Sequence, residues 1–267
     1  MKSETGHLLA REYIEQLASA GRYSFTSKEA KKAFGASTDA VKLALARLSR
    51  QGLIAAPARG FYVIVPPEYR SVGSLPADQF IPALMEEKGI AYYAGLLSAA
   101  QYYGAAHQRP QEFQVMVSKN RRDIRCGKVR VKFVARKNMA RVPVRKFNTQ
   151  RGQINVSTPE ATAIDLAGYP QHVGGLDQVA TILSELAEEI DAALLPAAAQ
   201  TAPLPWAQRL GYLLELAEAE HVVGPLREYI AKEARDYTPL APSARDEDGP
   251  RASAWKIVVN TEVEPDI

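Results

Sequence analysis

Residues 45–65 read LARLSRQGLIAAPARGFYVIV. The opening residues finish a helix whose apolar positions Val41, Leu45 and Leu48 recur at i, i+4 and i+7 and therefore share one face. Gly52 closes that helix, since glycine enters the left-handed region without a Cβ clash. Leu53-Ile54 begin an extended segment, Pro57-Ala58-Arg59-Gly60 supply a turn, and residues 61–65 return as a second strand. Toward the N-terminus, Ser37 can cap the helix and Gly35-Ala36 make a tight turn before it. Thr26-Ser27 cap a shorter helix with Glu29 and Ala30 in its first turn, closing on Ala33-Phe34. Residues 7–20 place Leu8, Leu9, Ile14, Leu17 and Ala18 on a loose stripe, a first helix that stops before Gly21. The resulting order is helix, helix, short turn, helix, hairpin.

That order, carried mostly by residues 45–65, resembles the winged helix-turn-helix family, which implies that the third helix enters a DNA major groove and the hairpin acts as a wing. With Val41, Leu45 and Leu48 inward, the opposite face presents Asp39, Leu43, Ala46 and Arg50, flanked by Thr38, Lys42 and Arg47. Lys42, Arg47 and Arg50 suit phosphates or guanine, and Ser37 and Thr38 suit a phosphate or a base. Arg59 at the wing tip suits the minor groove or the backbone, and Lys28, Lys31 and Lys32 on the second helix suit phosphates.

The 267-residue chain has 46% hydrophobic and 24% charged residues, the composition of an ordinary globular protein. No run of 18 apolar residues occurs and MKSETGHLLARE lacks a secretory pattern, so a cytoplasmic protein with no membrane partner is expected. A single cysteine, Cys126, excludes an internal disulfide, and four scattered histidines offer no ligand spacing, so neither metal nor cofactor is expected.

The formal charge of +3 hides strong segregation. Lys and Arg outnumber Asp and Glu by 11 to 6 over residues 1–70 and by 13 to 1 over residues 119–151, whereas residues 152–250 hold 5 against 16. Blocks of opposite sign point to a polyanion-facing surface on one part and an acidic face on another. The alternation Lys128, Arg130, Lys132 between Val129, Val131 and Phe133 predicts a strand with one apolar and one cationic face. A second basic surface is accordingly assigned to Lys119, Arg121, Arg122, Arg125, Lys128, Arg130, Lys132, Arg136 and Lys137.

Pro66-Pro67, Gly73 and Pro76 read as a linker, which puts a domain boundary near residue 72. Beyond it, helices fit residues 77–87, the apolar run from Tyr92-Tyr93 to Tyr102-Tyr103, residues 159–167, 175–190, 206–221 and 223–234. Short strands fit residues 113–117, 128–134, 142–147, 153–156 and 255–260. AALLPAAAQTAPLP and TPLAPSARDEDGPRAS read as loops. The fold class expected is α+β: a winged helix-turn-helix domain over residues 1–72 and an α/β domain over 73–267, with a small, mostly antiparallel sheet and several helices.

The winged helix followed by AYYAGLLSAAQYYG, a strand, a basic stretch and STPEATAIDLAGYPQHVGG resembles the AbiEi family of antitoxins over residues 8–190. The residues that carry this are Tyr92, Ser98-Ala99-Ala100 and Gly104, then Thr158-Pro159-Glu160, Ile164-Asp165-Leu166 and Gly174-Gly175. The resemblance implies operator DNA as a partner, autorepression of an antitoxin–toxin operon, and neutralisation of a nucleotidyltransferase-like toxin by the second domain. After residue 190 the alanine- and proline-rich insert and extra helices depart from typical members, so residues 190–267 are set apart as a helical extension.

Catalytic signatures are missing. Gly73-Ser74 has no following Asp-x-Asp to hold magnesium, and no Walker loop, dinucleotide glycine run, HExxH or GxSxG occurs. Glu160 and Asp165 share a helix and could pair, but an aspartate inside an apolar helix more often serves as a buried hydrogen-bonding partner. His107, His172 and His221 read as loop or helix-end residues. Two other readings follow from the same residues: a stand-alone regulator with a ligand-binding second domain, or a nucleic-acid-handling enzyme whose basic block holds substrate.

Overall fold

The computed structural model describes residues 9–105, 111–242 and 249–266. In chain order its first half contains α1 (Ala10–Ser19), β1 (Ser24–Thr26), α2 (Ser27–Phe34), α3 (Thr38–Arg50), β2 (Ile54–Ala58), β3 (Phe61–Ile64), α4 (Ala77–Glu87), β4 (Tyr92–Ala94), α5 (Leu96–Tyr102), β5 (Phe113–Val117), β6 (Ile124–Cys126) and β7 (Val129–Ala135). There follow β8 (Val144–Thr149), β9 (Gly152–Ser157), α6 (Pro159–Gly168), α7 (Leu176–Leu186), α8 (Leu195–Ala199), α9 (Leu204–Leu216), α10 (Gly224–Glu233), and the two-residue strands β10 (Thr238–Pro239), β11 (Arg251–Ala252) and β12 (Ile257–Val258). The fold is mixed α+β.

Two compact units divide the chain, and neither is one continuous segment. Unit 1 comprises Met1–Ala91, Arg121–Phe133 and Phe147–Ile154; unit 2 comprises Tyr92–Asn120, Val134–Lys146 and Asn155–Ile267. The boundary expected near residue 72 therefore does not coincide with the division. The proline-rich stretch is part of unit 1: Val65, Pro66, Ser74 and Leu75 are buried, and the Val72 carbonyl accepts the Lys128 N–H at 2.8 Å. Its prolines stiffen a packed turn rather than a free tether.

In unit 1, α1, α2 and α3 enclose a core of Tyr13, Ile14, Leu17, Phe25, Ala30, Phe34, Val41, Leu45 and Leu48 with Ile54 and Ile64. Tyr13 meets the Phe25 and Phe34 rings edge-on at 5.5 and 5.4 Å, an orientation that sets a positive ring edge on a negative face. Thr26 and Glu29 form a reciprocal cap: Thr26 Oγ1 accepts the Glu29 N–H at 3.2 Å and Glu29 Oε2 accepts the Thr26 N–H at 2.7 Å. Ser37 caps α3 by accepting the Ala40 N–H at 3.3 Å. β3 is the middle strand of a small antiparallel sheet, with β1 on one side and β2 on the other. A second antiparallel hairpin, β6 and β7, lies beside β2.

In unit 2, β4 pairs antiparallel with β5 and parallel with β9, so the sheet is not antiparallel throughout. The single helix expected from Tyr92 to Tyr103 is instead strand β4, a break, and helix α5. The break falls at Gly95 and Leu96, where Leu96 has φ +53°. A Cβ on Gly95 would come within 2.4 Å of Met116 Cγ, so the close approach of β4 to β5 requires glycine there. Helix α6 is buried along its whole length from Pro159 to Ala167 and packs against α5, α7, α8 and α9, as expected of a helix without a polar stripe.

Other expectations shift locally. The helix read over 175–190 ends at Leu186 and continues as one 3₁₀ turn, Ala187–Glu189. The alanine- and proline-rich stretch read as a loop contains α8, which buries Leu195, Ala198 and Ala199. Of the strand read over 255–260 only Ile257–Val258 pairs. Leu8 and His107 lie outside the described residues.

Candidate nucleic-acid interface

The buried side of α3 is Val41, Leu45 and Leu48, and Ser37, Thr38, Asp39, Lys42, Leu43, Ala46, Arg47 and Arg50 are exposed. Lys42 Nζ stands 3.4 Å from Asp39 Oδ1 with both side chains in water, a pairing that a phosphate can readily displace. Arg47 and Arg50 occupy the last turn, where cations also favour the carbonyl end of the helix dipole. Lys28, Lys31 and Lys32 are exposed on α2, and Arg59 is exposed in the β2–β3 turn beside Gly60, whose φ of +75° needs no Cβ penalty.

The β6–β7 hairpin brings further cations to the same unit. Arg121, Arg122, Arg125 and Lys128 are exposed, whereas Arg130 and Lys132 are half-buried. Arg130 Nη1 donates to the carbonyls of Gly127 and Val129 at 2.8 and 3.2 Å, and the Arg121 guanidinium lies 5.7 Å from the Phe133 ring centroid. Cys126, between Arg125 and the turn, is buried, and burial pushes its thiol up. Its strand, β6, packs beside β2. Unit 1 as a whole contains 19 Lys and Arg against 10 Asp and Glu, a formal +9, while unit 2 contains 14 against 20, a formal −6.

Two residues of the basic block, Lys119 and Lys137, are exposed and belong to unit 2. A third, Arg136, does not belong to any surface. It is 2% exposed, its Nε donates to Asp165 Oδ1 at 2.6 Å, and its terminal nitrogens donate to the carbonyls of Lys137 and Thr201 at 3.1 and 3.2 Å and to Thr201 Oγ1 at 3.0 Å. The assignment of Arg136 to the second basic surface is therefore corrected. The guanidinium compensates Asp165, which is wholly buried and would otherwise be an isolated charge in an apolar helix.

Asp165 Oδ2 also accepts the Tyr93 hydroxyl at 2.7 Å. Burial raises the Asp165 carboxyl above its ordinary value, and the Arg136 and Tyr93 contacts pull the other way. Burial acts to lower the Arg136 pKa, but the charge and hydrogen bond of Asp165, with Tyr93 and Tyr169, together outweigh it and hold the guanidinium above its ordinary value. Glu160 does not pair with Asp165; its Oε1 accepts the Asp191 N–H at 3.0 Å. Both carboxylates are thus spent on structure. A further buried cation, missed from the sequence, is Arg209: it donates to the Leu240 and Ala167 carbonyls, each at 2.7 Å, and burial pushes it down to about 10. Its one legible signal was a cation on the apolar side of α9.

Among the described residues no group of three or more His, Cys, Asp or Glu is placed to hold a metal, and no helix is long and apolar enough to cross a membrane.

Residues 93–216 match the family model of the AbiEi antitoxin C-terminal domain. This segment is an AbiEi antitoxin C-terminal domain by that match. The AbiEi segment begins in β4, ends with the last residue of α9, and includes all of Tyr93, Arg136, Asp165, Thr201 and Arg209. The departure from the family expected after residue 190 is corrected: the match continues to residue 216, through α8 and α9, which pack against α6. No curated protein matches the chain. A solved structure, the crystal structure of RV2827C protein from Mycobacterium tuberculosis, is similar over 94% of this chain and 90% of that one, at 17% identity and a TM-score of 0.66. At that identity the likeness concerns the fold.

Proposed function

We propose that this chain is the antitoxin of a toxin–antitoxin pair that binds its operator through a winged helix at residues 1–72, represses its own operon, and counteracts a nucleotidyltransferase-like toxin through its AbiEi domain. The observation that carries the DNA reading is the segregation of formal charge, +9 on unit 1 against −6 on unit 2. In this reading α3 enters the major groove with Lys42, Arg47 and Arg50 toward bases and phosphates. Ser37, Thr38, Lys28, Lys31, Lys32 and Arg59 fix the register on the backbone. Arg121, Arg122, Arg125 and Lys128, with the half-buried Arg130 and Lys132, form a second strip along the flanking backbone, while Lys119 and Lys137 are exposed cations of unit 2. No catalytic step is assigned to the chain, and its place of work is the cytoplasm.

The test is binding of the full chain to the DNA upstream of its own gene as salt is varied. Each phosphate neutralised adds about −0.9 to the slope of log K against log salt. R121Q/R122Q/R125Q is expected to flatten that slope by about two to three units without altering sequence preference. K42A or R50A is expected to cost about 1–3 kcal/mol if the side chain meets a base. Growth on co-expression with the neighbouring gene product reads the antitoxin role, and the DNA-binding variants are expected to rescue it as the parent does. Because unit 1 is assembled from three stretches, point substitutions separate the two roles more cleanly than truncation at residue 72. An unchanged slope in the triple variant refutes the second strip.

A further inference from the structure

The exposed face of α3 is not uniformly polar. Leu43 is 60% exposed, and Ala46 beside it is exposed as well. At about 100° per residue, Leu43 lies about 160° around the helix from Val41 and Leu45, and within about 60° of Asp39, Ala46, Arg47 and Arg50. It therefore stands at the centre of the cationic face, where it adds nothing to the core of unit 1. Lys42, Arg47 and Arg50 around it, with Lys28, Lys31 and Lys32 on α2, make a polyanion the occupant that complements this face. On the major-groove edges of DNA the apolar feature is the thymine C5-methyl group.

Resting on the operator reading above, we infer that Leu43 is a specificity-determining residue that reads a thymine methyl in the major groove, with Ala46 small enough to let α3 approach the base edges. Arg47 and Arg50 then supply attraction, and Leu43 supplies discrimination that is insensitive to salt. The 60% exposure of the Leu43 side chain leaves it open to a base edge.

The test selects duplexes from a random-sequence pool with the full wild-type chain, then replaces each thymine of a selected duplex in turn by deoxyuridine, which removes only the methyl group. At least one replacement is expected to weaken wild-type binding about three- to fivefold, the worth of one buried methyl. L43A and L43Q are expected to bind the thymine and uracil duplexes equally, with an unchanged salt slope. Wild-type indifference to every replacement, in a chain that still binds duplex in a salt-dependent way, overturns the inference and leaves the operator reading standing. Failure to bind any duplex overturns both. Full thymine discrimination retained by L43A, or a wild-type dimer that L43A converts to monomer, overturns the assignment of Leu43 as a base reader.

Discussion

Replacing Arg136 by methionine deletes the counter-charge of a carboxylate with no solvent access. Four hydrogen bonds go with it: one to Asp165, two to the carbonyls of Lys137 and Thr201, and one to Thr201 Oγ1. Thr201 Oγ1 keeps its own bond to the Ala198 carbonyl at 2.8 Å, so the cost concentrates on Asp165, left with the Tyr93 hydroxyl alone. Breaking a buried pair from one side costs about 3–5 kcal/mol, because the surviving charge is stranded. R136M is therefore expected to destabilise unit 2 by about 3–5 kcal/mol in urea unfolding. Intrinsic fluorescence reports it, since both tryptophans, Trp206 and Trp255, belong to unit 2 and Trp206 lies 5.9 Å from the Arg136 guanidinium. Burial raises the Asp165 carboxyl, so protonation relieves a fold that has lost Arg136, and the deficit should be greatest at neutral pH and shrink as pH falls. A deficit below about 1 kcal/mol at neutral pH, or one that grows on acidification, refutes the account of Arg136 as counter-charge rather than surface cation.

Thr26→Ala removes half of the α2 cap and should cost about 1 kcal/mol, read as loss of amide protection in residues 27–30. Burial works to raise the Glu29 carboxyl, but hydrogen bonds from the Arg22 guanidinium and from Thr26 outweigh it and hold it below its ordinary value. Its contribution is thus present above the ordinary carboxylate range and lost as pH falls through the lowered value. E29Q should remove that acid-side loss from a pH series of unit 1 amide exchange. Gly127→Ala puts a Cβ 2.2 Å from the Val72 carbonyl oxygen at a residue with φ +58°, so the β6–β7 turn must detach. About 1–3 kcal/mol and faster exchange of the Lys128 amide are expected, and full retention of that protection counts against the docking of the turn. Gly211→Ala drives a Cβ to 2.1 Å from the Trp255 ring, and a shifted Trp emission with about 1–3 kcal/mol lost is expected.

Local chemistry determined most of the first half of unit 1 before any tertiary contact was considered. The Thr26 and Ser37 caps, the turn at Gly35, the stop at Gly52 and the Arg59-Gly60 turn each act within about four residues, so the order of α1, α2, α3 and the hairpin is written in adjacent side chains. The apolar spacing of Val41, Leu45 and Leu48 likewise settled which face of α3 is exposed. What tertiary structure decided is what depends on partners far along the chain. Counting charge made Arg136 a surface cation, yet its fate is set by Asp165, 29 residues away, and Thr201, 65 residues away. The two-residue alternation of β7 announced buried Val131 and Phe133 but not Val134, because one period cannot show that the strand end is covered on both faces. Residues 92–103 and 192–205 are short apolar stretches that suit strand, helix or loop equally well. β4 exists because β5 and β9 pair with it, and α8 because α6 offers it a surface; an apolar run specifies burial, whereas its conformation is chosen by whichever neighbour satisfies its backbone.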